Sequence, residues 1–217
     1  MNVVRTLPVV LAFMLAGCFG TEVTEFPDGL EPLGMNDLAG PGTASDPHPE
    51  EFVTEATDGG RYDLVLGRGF INAPITEVWA AYRNPAVGAD RRTSPDWTSD
   101  PLDEAGYDES YVIHHIAYDV VTVEWDVTWR HGVVTGTAEV PELVSMRWQK
   151  TNGSTLISVI EGSILLRPAG DGSVTEVELV YHASAAGSGP DTYARYMQEV
   201  YNDAVAITHG NELATFE

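Results

Sequence analysis

The sequence contains a single cysteine, Cys18, among 217 residues. One cysteine cannot form a disulfide within the chain, and it cannot supply the four ligands of a structural zinc site by itself. The stability of the folded part must therefore come from the packing of apolar side chains and from hydrogen bonds.

Basic residues are also scarce. Lysine and arginine number 11 against 33 aspartates and glutamates, so the formal net charge is −22, and Lys150 is the one lysine. Nucleic-acid binding depends on Lys and Arg contacts to phosphates, so this composition argues against a nucleic-acid partner. The same charge disfavours contact with anionic lipid surfaces. We interpret the acid excess as a source of solubility, on which net charge acts directly.

The apolar run near the N-terminus is too short to cross a membrane. It covers residues 7–16, about half of the roughly 20 residues that a spanning helix requires. The run follows the positive charge of Arg5 and precedes small residues. This order is typical of a secretory signal peptide, which we predict over residues 1–17.

The end of this segment, Leu15-Ala16-Gly17-Cys18, resembles the lipobox of bacterial lipoproteins. The resemblance implies cleavage before Cys18 and acylation of that residue with more than one chain, because one chain anchors a protein only marginally. It also implies a place in the bacterial cell envelope. Phe19 stands where an aspartate would favour inner-membrane retention, so we expect the periplasmic face of the outer membrane. The alternative is an ordinary signal peptide with an incidental cysteine.

Residues 18–60 lack the apolar periodicity of a folded segment. Between positions 19 and 60 there are ten acidic residues, no lysine or arginine, five prolines and seven glycines. Such a segment buries too little apolar surface to offset its ordering entropy. We therefore predict a disordered acidic tether over residues 18–60 and one folded domain over residues 61–217, a length that suits a single domain.

Hydrophobic periodicity predicts six strands and a short first helix in this domain. Apolar and polar residues alternate most clearly between 121 and 130, which indicates an antiparallel strand with one wet face. One face of the short helix carries Ile75, Val78, Trp79 and Tyr82. Residues 86–109 are rich in turn formers. The predicted strands cover residues 62–72, 111–118, 121–130, 143–151, 155–167 and 174–183.

A long C-terminal helix is predicted over residues 190–209. Its start has the capping-box spacing of Ser188 and Asp191. An antiparallel sheet with one wet face and an amphipathic helix is expected to curl, so that the helix lies across its apolar side. The predicted class is α+β, with a curved antiparallel sheet of six or seven strands wrapped on the last helix.

The segment Phe70-Ile71-Asn72-Ala73-Pro74-Ile75-Thr76-Glu77-Val78-Trp79 resembles the opening of the START-like, or Bet v 1-like (SRPBCC), superfamily. The order of elements over residues 61–217 is similar as well. The resemblance implies a helix-grip fold, often built around an apolar cavity. Members bind lipids, sterols, polyketides or plant hormones, and some catalyse cyclisation or hydrolysis. No catalytic residue carries over, because the superfamily shares none.

Inward-facing apolar and aromatic residues form the candidate ligand cavity, and their alternative role is packed core. A void of about 300 Å³ would cost about 7 kcal/mol at roughly 24 cal/mol per Å³. This is comparable to the whole stability of a domain, so such a cavity must hold ligand or water, or be closed by the helix and the large aromatics. The candidates are Val123, Trp125, Val127, Trp129, His131, Met146, Trp148, Val177, Leu179, Tyr181, Tyr193, Tyr196, Met197 and Val200.

Known catalytic and cofactor motifs are absent from the sequence, so we predict no cofactor, metal site or catalytic residue. His114 and His115 are adjacent and point to opposite faces of a strand, so they cannot easily share an ion. We expect a binding module for a hydrophobic small molecule or lipid. The alternatives are an interaction protein with a filled core, whose protein partner is unknown, and a polyketide cyclase-like or hydrolase-like enzyme using His131, Tyr181 or Tyr193.

Overall fold

The computed structural model describes residues 29–118 and 121–216. The predicted signal peptide over 1–17, the predicted lipidation site Cys18 and the first part of the predicted tether lie outside these residues. Within the described ranges no helix combines the length and the apolar character needed to cross a membrane. The elements are β1 (Phe52–Asp58), β2 (Asp63–Ile71), α1 (Ile75–Tyr82), α2 (Pro85–Gly88), β3 (Asp96–Leu102), β4 (Glu109–Tyr118), β5 (Thr122–Gly136), β6 (Pro141–Gly153), β7 (Ile157–Ala169), β8 (Val174–Ala185) and α3 (Pro190–Thr208).

The strands form one curved antiparallel sheet in the order β1-β2-β8-β7-β6-β5-β4-β3. From β3 to β8 each strand pairs with the next one in the chain, and β2 pairs with β8. The predicted α+β class and helix-grip arrangement are therefore confirmed. The described sheet has eight strands instead of six or seven, because β1 lies in the predicted tether and β3 in the turn-rich region. The edge strand β3 is largely exposed and contains Pro101, so it lacks an apolar pattern.

Alternation along the strands places the large aromatics on the concave face. Trp129 of β5 and Trp148 of β6 are register partners, and their rings stack with centroids 4.4 Å apart. Both are about 1% exposed. Glycine makes room for them, since a Cβ at Gly162 would lie 2.0 Å from the Trp148 ring and one at Gly88 would lie 2.7 Å from the Trp129 ring.

The helix α3 packs on the sheet and on the short helix α1, which carries the predicted apolar face. Its buried side includes Met197, Val200 and Tyr201. The Tyr201 hydroxyl donates to the Phe70 carbonyl at 2.6 Å. The predicted capping box is not formed: Gly189 is the N-cap, and no side chain caps the first turn.

Residues 29–51, here named the strap, cross the outer face of the sheet. The Ser145 hydroxyl on β6 donates to the Leu30 carbonyl at 2.7 Å, and the Leu33 amide donates to the Ser163 hydroxyl on β7 at 2.9 Å. The predicted disorder of the tether is therefore wrong for the described residues 29–60, which comprise the strap and β1. The segment contains few apolar residues, but polar side chains on the sheet form hydrogen bonds with its backbone. The apolar content of a sequence does not indicate such hydrogen bonds.

The strap also corrects the prediction that one side of the sheet is wet, since it covers part of that side. Ser145 and Ser163 are almost completely buried beneath it. Arg147 is buried too, and its Nη1 donates to the Glu31 carbonyl at 2.9 Å. Burial lowers the pKa of this guanidinium from its ordinary value. The outward-facing polar side chains of β6 and β7 thus contact the strap rather than water.

We expect the strap to contribute measurably to the free energy of unfolding. Each hydrogen bond of this kind contributes about 0.5–1.5 kcal/mol, and the buried Arg147 would lose a partner. A variant lacking residues 1–51 should therefore unfold in urea with a stability about 2–5 kcal/mol lower than a variant lacking residues 1–28. Equal stabilities would show that the strap does not hold the sheet.

Candidate functional site

Two adjacent cavities of about 30 and 70 Å³ lie beneath the strands and α3. They share five lining residues, so we treat them as one space, named the inner chamber. Aromatic side chains make up most of the lining of the smaller cavity, whereas the larger one is lined mainly by aliphatic and small polar side chains. The shared residues are Asp90, Trp125, Ile160, Tyr181 and Tyr196; the remaining ones are His115, Val127 and Trp148 in the smaller cavity and Thr93, Ile157, Val159, Ala185, Ser188, Thr192 and Tyr193 in the larger one.

A larger recess of about 310 Å³, named the mouth pocket, adjoins the inner chamber. The two spaces have Thr93, Trp125, Ile157, Ala185 and Ser188 in common. The mouth pocket is mainly apolar, and its rim includes Val121, 55% exposed, and Leu156, 46% exposed. The chamber and the mouth therefore adjoin each other along shared walls, and the mouth has an apolar rim.

The structure divides the predicted cavity residues into two groups. Trp125, Val127, Trp148, Tyr181, Tyr193 and Tyr196 line the inner chamber, and Val123 lines the mouth pocket. The others line neither space and are buried in the core: Trp129, His131, Met146, Val177, Leu179, Met197 and Val200. A ligand-binding role for the first group remains a prediction.

Asp90 is a chamber residue that the sequence did not indicate. It lies between α2 and β3, and its Oδ1 accepts a hydrogen bond from the Thr93 amide at 3.0 Å. Burial raises the pKa of its carboxyl above the ordinary value, although the Thr93 hydrogen bonds oppose that shift. The local signal was the Asp-x-x-Thr spacing of a side-chain-capped turn, which does not by itself indicate a ligand site.

His115 is another chamber residue that was missed. Tyr111, Ile113 and His115 occupy alternate positions of β4 and point to the same inner face of the sheet. The alternation of residues along a strand could therefore have identified His115. Its ring stacks on Trp125 with centroids 4.9 Å apart. Burial lowers the pKa of His115 to about 3, so the ring is neutral near pH 7. Its Nδ1 is buried and has no hydrogen-bond partner.

His131 was predicted as a candidate acid or base, but it lies in the core rather than in the chamber. It is completely buried beside Tyr111 and Trp129, and neither ring nitrogen has a hydrogen-bond partner. Burial lowers its pKa to about 3. Of the three candidates for enzymatic chemistry, only Tyr181 and Tyr193 reach the chamber, and the Tyr193 hydroxyl already accepts the Ala185 amide at 2.7 Å.

The one lysine supports the rim of the site. Lys150 is buried, and its Nζ donates to the carbonyls of Ser154 at 2.8 Å and Ile157 at 2.6 Å. These contacts fix the start of β7, which contributes Ile157 to both spaces. Among residues 29–118 and 121–216, no group of three or more His, Cys, Asp or Glu side chains is arranged to hold a metal ion.

Comparisons with known proteins identify the fold. Human StAR-related lipid transfer protein 5 superposes with a TM-score of 0.51 at 10% identity, over 75% of this chain and 84% of that protein. For a STAR-related lipid transfer protein from Xanthomonas axonopodis the TM-score is 0.44 at 15% identity, over 73% and 90%. For the Zhui aromatase/cyclase from a Streptomyces species it is 0.42 at 13% identity, over 67% and 93%.

No model of a known protein family matches the chain, and no curated protein does. At such low identity the likeness to the human protein establishes the fold alone. The chain has the helix-grip fold of the START-like and Bet v 1-like proteins, as the sequence resemblance implied.

The buried neutral histidines predict a specific pH dependence. A histidine whose folded pKa is about 3 takes up a proton on unfolding at any pH between 3 and about 6.5. Stability therefore falls as the pH is lowered through that window, by up to about 1.4 kcal/mol per pH unit for each such residue. His131→Phe should give a shallower decline than the wild type in urea titrations between pH 6.5 and 5. Identical slopes would contradict a neutral, buried His131.

Proposed function

We propose that the domain binds a hydrophobic small molecule or a lipid in the inner chamber and the mouth pocket. The observation that carries this proposal is that the two spaces adjoin and share Trp125 and Ile157 as lining residues. Apolar side chains are exposed at the rim of the mouth pocket, in a chain whose net charge is −22. Exposed apolar groups around a recess are typical of ligand-binding grooves.

The volumes restrict the ligand. A dry cavity of about 150 Å³ is enough to bind benzene, so the two cavities of the chamber, about 30 and 70 Å³, admit only a few heavy atoms. A larger molecule must place a compact end in the chamber and the rest in the mouth pocket, which has about 310 Å³. A START-like cavity large enough to enclose a whole lipid is not required by this arrangement.

The small chamber also favours a second candidate, an interaction protein with a filled core. In that case the aromatic interior would be purely structural, and the acidic surface would contact a protein. The two candidates differ in a simple way, because only a binding module loses ligand affinity when the space beside the wall shared by mouth and chamber is filled.

We further propose that the protein is a lipoprotein anchored in the bacterial cell envelope through Cys18, on the periplasmic face of the outer membrane. The support is the lipobox-like Leu15-Ala16-Gly17-Cys18 behind a short apolar run. The strap and β1 then lie between the anchor and the rest of the sheet. The tether available to the domain is correspondingly shorter than the predicted segment 18–60.

Filling the space beside the shared wall should weaken ligand binding. Ser188 lines both the chamber and the mouth, so the indole of Ser188→Trp takes up space at that wall. With the neutral dye N-phenyl-1-naphthylamine as probe, we expect at least a tenfold weaker affinity in fluorescence titration. Ser173→Trp is the matched control, since Ser173 is exposed near the turn at the other end of β8. Equal binding by both variants, or a wild type that binds no dye and carries no extractable lipid in native mass spectrometry, would favour the interaction protein.

The anchor is tested separately. In a bacterial host with lipoprotein processing, the wild type should incorporate radiolabelled palmitate and sediment with membranes, and globomycin should block its maturation. Cys18→Ala should lose the label and the membrane association. If processing and fractionation are the same for both proteins, the cysteine is incidental and the segment is an ordinary signal peptide.

A further inference from the structure

The sheet of this domain is open, so β1 and β3 each have one side without a neighbouring strand. Unpaired backbone groups on an edge strand can pair with a strand of another chain, and prolines and charges on the edge oppose this. The β3 edge has this protection, because it contains Pro101 together with Asp96 and Asp100. β1 contains no proline, and most of its residues favour strands. Of the two edges, β1 is therefore the one suited to pairing.

The hydrogen bonds at both ends of the β1–β2 pair show which groups of β1 face outward. The Phe70 amide donates to the Glu51 carbonyl at 3.2 Å, and the Gly59 amide donates to the Tyr62 carbonyl at 3.2 Å. Bonded and unbonded positions alternate in an antiparallel pair, so the odd-numbered residues from 51 to 59 bond to β2. The N–H and C=O groups of the even-numbered residues therefore point away from β2; these residues include Phe52, Thr54 and Ala56.

These outward backbone groups have no other partner in the described part of the chain. No hydrogen bond from residues 29–118 or 121–216 reaches the main chain of Phe52, Thr54 or Ala56 from the open side of β1. Helix α3 lies against the inner face of β1 instead, where the Tyr201 ring stacks on the Phe52 ring with centroids 4.6 Å apart. β2 and α3 thus fix the strand, while its free side keeps donors and acceptors in line.

Acidic side chains surround this edge. Glu51 precedes β1, Glu55 is exposed at its centre, and Asp58 ends the strand opposite Asp63. Slight burial and, after it, the charge of Asp58 raise the pKa of the Asp63 carboxyl. None of these four carboxylates forms an ion pair with a residue that the structure describes. A cationic partner would therefore meet negative charge that is not already neutralised.

We propose that the free edge of β1 binds an extended segment of a partner protein as an additional strand, and that lysine or arginine alternates with β-branched residues in this segment. Backbone hydrogen bonds to the outward groups of Thr54 and Ala56 supply the pairing. The basic side chains lie on the face of Glu55, and the β-branched ones lie on the face that α3 covers. A second copy of this chain is a poor occupant, because two β1 strands would bring like charges together.

This inference goes beyond the proposed ligand site and does not depend on it. Hydrogen exchange of the β1 amides, followed by NMR, tests the free edge. In the protein alone, the amides of Thr54 and Ala56 should exchange at least tenfold faster than those of Val53 and Glu55, which bond to β2. A nine-residue peptide of alternating lysine and valine should slow Thr54 and Ala56 to the rate of their neighbours. If both amides are already protected in the free protein, the edge is covered and the inference is wrong.

Matched peptides separate backbone pairing from charge in fluorescence anisotropy titrations at low salt. Replacing every lysine by glutamate should weaken binding at least tenfold. In the proposed arrangement the valine amides face β1 and the lysine amides face away from it. N-methylation of the valines removes the pairing donors and should weaken binding at least tenfold, whereas N-methylation of the lysines should leave the affinity within threefold. Both methylated peptides keep the same charge.

Two substitutions in β1 test the same edge from the side of the protein. Ala56→Pro removes an outward N–H and no bond to β2, so it should weaken the lysine–valine peptide at least tenfold. Glu55→Gln should weaken it at least threefold. Glu139→Gln is the matched control, because it removes the same charge from the exposed loop between β5 and β6, and it should leave the affinity unchanged. The methylated peptides keep the test decisive if Ala56→Pro is unstable.

The outcomes distinguish this inference from its alternatives. Equal binding of the two methylated peptides, or equal effects of Glu55→Gln and Glu139→Gln, would mean that the acidic chain attracts the peptide as a whole, and the inference would be wrong. Dimerisation of the wild type that Ala56→Pro abolishes in analytical ultracentrifugation would assign the edge to a second copy and contradict the basic partner. No substituted residue lines the mouth pocket, so binding of N-phenyl-1-naphthylamine reports separately on the proposed function.

Discussion

The stacked rings of Trp129 and Trp148 determine how much space remains between the sheet and α3. The two residues are register partners on neighbouring strands, so the sheet itself brings their rings to a centroid distance of 4.4 Å. The close approaches at Gly88 and Gly162 let helix α2 and strand β7 pack against them. Truncating a buried tryptophan typically costs about 3–5 kcal/mol, so the stack stabilises the fold as it fills the interior. What remains open is confined to the end of the sheet near Trp125.

This confinement links the fold to the proposed site. The inner chamber lies where the turn carrying Asp90, the start of β7 and the start of α3 come together, and the mouth pocket opens beside it. On the opposite face the strap covers polar side chains of β6 and β7, so the sheet is enclosed on both faces over part of its length. The outer face of the sheet therefore serves to hold the strap, whereas the inner face carries both the packed core and the small recess.

Much of the fold could be predicted because its strands and helices follow periodic apolar patterns in the sequence. The alternation along β5 and the helical spacing from Ile75 to Tyr82 both place side chains by simple geometry. The strap could not be predicted in this way, since its order comes from backbone hydrogen bonds to residues such as Ser145 and Ser163, distant in sequence. The chamber was only partly predictable. Periodicity tells which face a residue occupies, but ring orientation decides whether Trp125 borders a space or, like Trp129, fills one.

The most direct test of this account is hydrogen exchange at the tryptophan indoles, followed by NMR on the intact domain. The indole N–H groups of Trp129 and Trp148 are buried without hydrogen-bond partners. They should exchange as slowly as the most protected amides of the sheet, through global unfolding only. Exchange at the rate of an unfolded chain, under conditions where the sheet amides stay protected, would mean that the rings do not fill the interior, and the account of the chamber would be wrong.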